Sequence, residues 1–90
     1  MEATRTVRLR NSAGLHARPC HAIASTAAGF ESDLRVRMGE AEVNGKSILE
    51  LMTLCAPCDS DLTFLARGRD AEALIERLSA LVQAGFHELP

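Results

Sequence analysis

The sequence predicts an antiparallel α+β fold with the element order β-α-β-β-α-β-α. Residues 33–38 alternate strictly between apolar and charged side chains, which is typical of a strand with one buried face. Residues 19–28 and 74–82 repeat apolar side chains at helical spacing. Strands with one polar face imply a sheet that is covered on one side only, as antiparallel sheets allow. We expect one domain across residues 1–90.

The first half of the chain predicts two strands and one helix. Thr4–Arg10 alternates towards its end and predicts a half-buried strand. Pro19–Ala28 predicts a helix, because proline fits a first helical turn, and Gly29 ends it as a C′ residue. Asp33–Met38 is the clearest strand. The residues expected to face the core are Val7, Leu9, Cys20, Ile23, Ala24, Ala27, Leu34, Val36 and Met38.

Two turns and a short strand follow. Gly39-Glu40 predicts a tight turn into the strand Ala41–Val43, and Asn44-Gly45 predicts a second turn. Ser47 is a good N-cap, and Glu50 three residues later predicts a capping box. The apolar residues of the short helix that begins there are Ile48, Leu51, Met52 and Cys55.

The last part of the chain predicts one strand and one helix. Pro57 stops the preceding helix, and Leu62–Arg67 predicts the last strand. Asp70 is the expected N-cap of a final helix, and Gly85 closes it. The apolar stripe of this helix consists of Leu74, Ile75, Leu78, Leu81 and Val82.

The candidate functional residues lie where the first strand meets the first helix. Pro19 places His16 at the mouth of that helix, close to backbone N–H groups that have no intrahelical partner. These groups and the helix dipole favour an anion. The planar guanidinium of Arg18 could hold a phosphate. A neutral imidazole beside such a site is suited to receiving a phosphoryl group, and the alternative is a loop histidine without function.

Composition excludes several classes of protein. A net charge of −2 argues against a nucleic-acid binder. No apolar run follows Met1, and no stretch approaches the ~20 apolar residues of a membrane span. Three cysteines fit a reducing compartment better than a disulfide scaffold, so we expect a cytoplasmic protein. Arginines that share a surface with His16 would favour an acidic partner or a phosphate. The early arginines are Arg5, Arg8, Arg10, Arg18, Arg35 and Arg37.

Two segments in register resemble the HPr family, the histidine-containing phosphocarriers of the bacterial phosphoenolpyruvate:sugar phosphotransferase system. Gly-Leu-His-Ala-Arg-Pro at residues 14–19 resembles the active-site signature, and residues 43–52, Val-Asn-Gly-Lys-Ser-Ile-Leu-Glu-Leu-Met, resemble the regulatory-serine helix. The resemblance implies an open-faced β-sandwich, with three helices on one face of a four-stranded antiparallel sheet. It implies that His16 accepts a phosphoryl group from enzyme I, that Arg18 neutralises it, and that enzyme IIA domains receive it.

The resemblance has further implications. The chain would be a monomeric carrier and not an enzyme, and it would need no cofactor or metal. Ser47 matches the serine that an HPr kinase/phosphorylase modifies in some members, although it also serves as a helix cap. Ile48, Leu49 and Met52 match the family's docking patch, although most of them could instead be core. Leu49 is the best candidate for an exposed contact, because it lies off the apolar stripe of its helix.

Two alternatives to a sugar-system phosphocarrier stay open at this point. The first is a regulatory HPr-like protein of a nitrogen-type branch or of a branch that signals through Ser47 phosphorylation. The second is a small thiol-redox or metal module that uses the Cys-x-x-Cys pair Cys55 and Cys58. Against it, Cys55 is expected to be a buried small hydrophobe and Cys20 to serve packing. His21 and His87 are expected to be solvated.

Overall fold

A computed structural model describes residues 1–87 and has the predicted element order. Within that range, none of the helices has the length and apolar character needed to cross a bilayer. The elements are the strand β1 (Glu2–Arg8), the helix α1 (Ala17–Ala28), the strands β2 (Asp33–Met38) and β3 (Ala41–Asn44), the helix α2 (Ile48–Met52), the strand β4 (Asp61–Arg67), the helix α3 (Ala71–Gln83) and a 3-10 turn (Gly85–His87).

The four strands form one antiparallel sheet in the order β1-β4-β2-β3. The central strand β4 places Phe64 beside Val36 of β2 and beside Arg5 of β1. Inward-facing residues of β2 and β4 are buried in alternation, as the sequence predicted. The edge strand β1 buries its inner face only partly, and Arg5 reaches across it to Glu76 of α3 at 2.7 Å.

All three helices cover the inner face of this sheet, and the other face is open, which confirms the α+β open-faced sandwich. The core between the layers is almost entirely aliphatic. Its largest fully buried side chains are Phe64, Leu9, Ile23, Leu34, Leu51, Leu62, Leu74 and Leu78. Charged side chains on the strands are paired in Arg8–Asp61, Arg35–Glu42, Arg37–Glu42 and Arg67–Glu2.

The first strand is displaced by two residues from its predicted bounds. It ends at Arg8, but Leu9 still donates to Ser60 O at 2.9 Å and accepts from Asp59 N at 3.0 Å. Leu9 is fully buried, so the prediction that it faces the core is confirmed. This pairing ties the segment before the site to the segment before β4.

The ends of α1 and α3 differ in detail from the prediction. Gly29 does end α1, but its φ of −79° is right-handed, so this end is not a left-handed C′ cap. Gly85, with φ +62°, follows α3 as a left-handed glycine, as expected. Asp70 precedes α3 but its side chain does not cap that helix. It accepts instead from the backbone N–H groups of Glu31 and Ser32, each at 2.9 Å, and from the Ser32 hydroxyl.

The expected burial of Cys55 is wrong, because its side chain is exposed. The helix α2 has only five residues, and Leu51 is its only buried residue. Beyond it, Cys55 adopts a left-handed φ of +50°, and the neighbouring residues Leu54 and Ala56 are buried in its place. Extending the apolar periodicity of α2 beyond the end of the helix therefore predicts burial for Cys55, which is exposed.

Candidate functional site

His16 occupies the N-cap position of α1. Its backbone is extended (φ −96°, ψ −168°), and its carbonyl accepts the first helical hydrogen bond, from Cys20 N at 3.1 Å. The side chain of His16 does not cap the helix, and the first turn contains no acidic residue. The backbone N–H groups of Ala17 and Arg18 follow His16 directly in the chain, at the electropositive end of a twelve-residue helix.

The loop that carries His16 packs directly against the segment that follows α2. Leu15 N donates to Ala56 O at 2.7 Å, and Gly14 adopts a left-handed φ of +66°. A Cβ atom on Gly14 would collide with Ala56 O and would lie 2.8 Å from two backbone atoms of Pro57. Only glycine can supply both this conformation and this close approach.

His16 and Arg18 differ in how far they are exposed to solvent. His16 is half-buried and its Nε2 atom is buried, whereas Arg18 is exposed two residues further along α1. Within residues 1–87, no carboxylate forms an ion pair with Arg18. A helix N-terminus and a guanidinium without a carboxylate partner are both groups that favour anions.

Most of the other early arginines do not contribute a free basic surface. Arg5, Arg8, Arg35 and Arg37 all form ion pairs with carboxylates of the sheet or of α3. Within residues 1–87, Arg10 and Arg18 are the two early arginines without an ion pair, and they precede and follow His16 in the sequence.

Ser47 is the N-cap of α2, and its hydroxyl accepts from Glu50 N at 3.2 Å, as the capping prediction required. A capping box also requires that the Glu50 side chain accept a hydrogen bond from the backbone N–H of Ser47, and this second bond has a different donor here. The Glu50 carboxylate accepts from Asn44 N at 3.0 Å, and so it supports the turn before the helix. Ser47 is half-buried, at the start of an element that packs against α1.

Three large apolar side chains of α2 are exposed and are called the apolar patch below. Their exposed fractions are 80% for Leu49, 41% for Met52 and 36% for Ile48. The prediction that Leu49 is exposed is confirmed, and the alternative that most of the three are core is wrong. A five-residue helix buries one narrow stripe, which Leu51 occupies here. Exposed apolar clusters of this kind are typical of protein-binding surfaces.

The three cysteines are free and differ in environment. Cys20 is fully buried on α1, and burial raises the pKa of its thiol to about 11. Cys55 is exposed and Cys58 is half-exposed. Within residues 1–87, no group of three or more His, Cys, Asp and Glu side chains is arranged to hold a metal ion. His21 and His87 are exposed, as expected.

One residue of the site was missed by the sequence reasoning. Asn11 begins the turn before His16, and its side chain is buried and hydrogen-bonded to Gly14 O. An asparagine three residues before a glycine is a typical turn signal, and it was the only available indication.

Comparison with known proteins gives one family. The family model described as "PTS HPr component phosphorylation site" matches residues 3–84. The phosphocarrier protein HPr of Treponema pallidum is 37% identical over 84 residues, which cover 93% of this chain and 96% of that protein. The phosphocarrier protein NPr of Shewanella violacea is 34% identical and covers 93% of this chain and 92% of its own length.

Two further matches concern length and fold. A multiphosphoryl transfer protein of Vibrio cholerae is 39% identical over 88 residues, but the match spans only 22% of that longer protein. Among solved structures, HPr-C-His from Thermoanaerobacter tengcongensis superposes with a TM-score of 0.93 and 33% identity. That match covers 98% of this chain and 99% of the other.

Proposed function

The chain belongs to the HPr family of the phosphotransferase system, and we propose that it accepts a phosphoryl group on His16 from enzyme I and passes it to enzyme IIA domains. Enzyme I itself is charged by phosphoenolpyruvate. As a family member the chain is a phosphocarrier and not an enzyme. The observation that carries the proposal is the position of His16 at the N-terminus of α1, two residues before the exposed Arg18.

The buried Nε2 atom of His16 supports Nδ1 as the phosphoryl acceptor. A neutral ring that keeps its proton on Nε2 has its lone pair on Nδ1. That lone pair attacks phosphorus, a new N–P bond forms, and the bond between phosphorus and enzyme I breaks with its electron pair staying on the donor. Onward transfer repeats the step in reverse, with Nδ1 as the leaving atom.

A carrier needs a phosphate that is held and can still leave. A helix N-terminus stabilises an anion by about 0.3–1 kcal/mol at an exposed position, and up to ~2 kcal/mol when it is partly buried. Arg18 adds an exposed, solvent-screened charge. Both contributions are modest, which suits an intermediate whose transfer must remain nearly reversible.

The apolar patch is the proposed docking surface for enzyme I and the enzyme IIA domains. Burial of a side chain of this size against a partner contributes about 1.5–3 kcal/mol. We therefore expect Leu49→Ala to lower kcat/KM for phosphorylation by about ten- to a hundredfold. Glu72→Ala, exposed on α3, is the matched control and should leave kcat/KM unchanged. Equal effects of the two variants would contradict this docking surface.

Ser47 and the similarity to an NPr protein support a regulatory alternative. A phosphate on Ser47 would add about −1.5 to −2 charges at the start of α2. This charge would lie next to the apolar patch and would repel acidic partners. An HPr kinase/phosphorylase would carry out this modification. A sugar-specific enzyme II in the source cell favours sugar transport, and its absence favours the regulatory branch.

We expect the carrier to be monomeric and cytoplasmic. Its three free thiols fit a reducing compartment. A mass measurement by light scattering in solution tests the monomer directly.

Incubation with phosphoenolpyruvate and a cognate enzyme I tests the main proposal. We expect one acid-labile phosphate, detected by phosphorus NMR, that is absent from His16→Ala. The matched control is His21→Ala, which removes an exposed histidine of the same helix and should be labelled normally, as should Ser47→Ala. Absence of label on the chain without substitutions, or label that persists in His16→Ala, would overturn the proposal.

A further inference from the structure

We infer that Asn11 is a positioning residue for phosphoryl transfer at His16, through its hold on one peptide unit of the site loop. The inference rests on the proposed phosphoacceptor role of His16. Asn11 is only 7% exposed, although it lies in a loop. Its side chain donates from Nδ2 to Gly14 O at 2.6 Å.

The carbonyl that Asn11 holds is also bonded to His16. His16 N donates to the same Gly14 O at 3.1 Å, so this oxygen accepts one hydrogen bond from the side chain of Asn11 and one from the backbone of His16. A carbonyl with two donors uses both of its lone pairs, which fixes its direction. The backbone of Asn11 closes the same turn, because Asn11 O accepts from Gly14 N at 3.1 Å.

The other end of this peptide unit is fixed as well. The same peptide unit contains the backbone N–H of Leu15, and this group donates to Ala56 O at 2.7 Å. One planar unit is thus held at its oxygen by Asn11 and at its nitrogen by Ala56. The next residue along the chain is His16, so the orientation of this plane sets the direction in which the imidazole leaves the loop.

Fixing the orientation of this peptide unit should affect the rate of phosphoryl transfer more than the binding of partner proteins. Phosphoryl transfer requires the acceptor nitrogen to be aligned with phosphorus, and a displacement of about 1 Å can slow a reaction by a factor on the order of 100. The apolar patch lies on α2, outside the turn that Asn11 closes. A side-chain amide supplies the required donor, whereas a carboxylate in its place would face the Gly14 oxygen with a second acceptor.

The test compares Asn11→Ala and Asn11→Asp with Ser12→Ala, an exposed position in the same turn. The unmodified chain and all variants are phosphorylated by enzyme I, and kcat and KM for the carrier are determined separately. We expect both Asn11 variants to lower kcat at least about tenfold, with KM within about twofold of the unmodified chain. Ser12→Ala should change neither. In the nitrogen-15 NMR spectrum, the His16 ring signals should shift in the Asn11 variants only.

Each outcome decides the inference. Unchanged kcat in folded Asn11 variants, or an effect on KM alone, overturns it and leaves the phosphocarrier role intact. If the chain without substitutions is not labelled, the phosphocarrier role and this inference are both overturned. If Asn11→Asp does not fold, shown by loss of its dispersed amide spectrum, Asn11→Ala alone decides by the same criteria.

Discussion

Substitution of Gly14 by alanine tests how the site loop is held. Gly14 has φ +66°, and its Cα approaches the backbone of Ala56 and Pro57 so closely that a Cβ has no space. The atoms in the way belong to the main chain and cannot rotate aside. The methyl group must therefore push the two segments apart, and the hydrogen bond from Leu15 N to Ala56 O is the first that we expect to break.

The size of the effect follows from two terms. A left-handed backbone costs an alanine about 1–2 kcal/mol relative to glycine. Insertion of a methyl group into a closely packed contact costs about 1–3 kcal/mol more. Gly14→Ala should therefore lower the free energy of unfolding by about 2–5 kcal/mol. In a domain of this size each kcal/mol lowers Tm by about 4–8 °C.

Gly39 provides the matched control. Its φ of +60° is nearly the same, but a Cβ on Gly39 would meet nothing within 4 Å. Gly39→Ala should therefore lose only about 1–2 kcal/mol and keep full phosphotransfer. Urea unfolding followed by circular dichroism and the kcat of phosphorylation measure both effects. Equal losses of stability in the two variants, or native kcat in Gly14→Ala, would refute the close approach of the two segments.

Two further predictions concern pH and thiol chemistry. The hydrogen bonds from Ser32 Oγ and from the backbone N–H groups of Glu31 and Ser32 lower the pKa of Asp70 in the folded state. Its contribution to stability is therefore present above the unfolded pKa of about 3.9 and is lost as the pH falls through the lower folded value. Asp70→Ala should be less stable than the unmodified chain at pH 7, and urea titrations should show this difference shrinking below about pH 4; a difference that stays constant down to pH 2.5 would contradict the assignment. Burial and a thiol pKa of about 11 should protect Cys20 from iodoacetamide at pH 7.5, so peptide mapping of the native protein should find label on Cys55 and Cys58, and on Cys20 only after unfolding. Labelling of Cys20 as fast as Cys55 would show that α1 opens readily.

The sequence predicted features that arise from short repeats and local chemistry. The strand Asp33–Met38 has its predicted bounds, because alternation of apolar and charged residues admits one interpretation. His16 lies at the start of α1, as predicted, but the helix begins at Ala17, two residues before the predicted start at Pro19. Pro19 is the third residue of the helix, still within the first turn, where proline is tolerated. Ser47 caps α2, as the local sequence predicted. The family resemblance of residues 14–19 and 43–52 added the chemistry that these patterns could not provide.

Other features depend on residues that are distant in the chain. The sequence predicts that Asp70 caps its own helix, but its carboxylate accepts hydrogen bonds from Glu31 and Ser32 instead. These residues are brought to Asp70 only when β2 pairs with β4. The exposure of Cys55 depends on its left-handed backbone conformation after α2, which the spacing of apolar residues in the sequence does not predict.

By itself, the sequence determined the order of the elements, the helix end at which His16 lies and the glycine that precedes it. The tertiary structure decided what surrounds that helix end: the contact of Gly14 with Ala56, the pairing of most early arginines on the sheet, and the burial of Asn11. The physical reason is the range of the interactions. Periodicity and capping act over three or four residues, whereas a fixed site loop requires a carbonyl that lies about forty positions away in the chain.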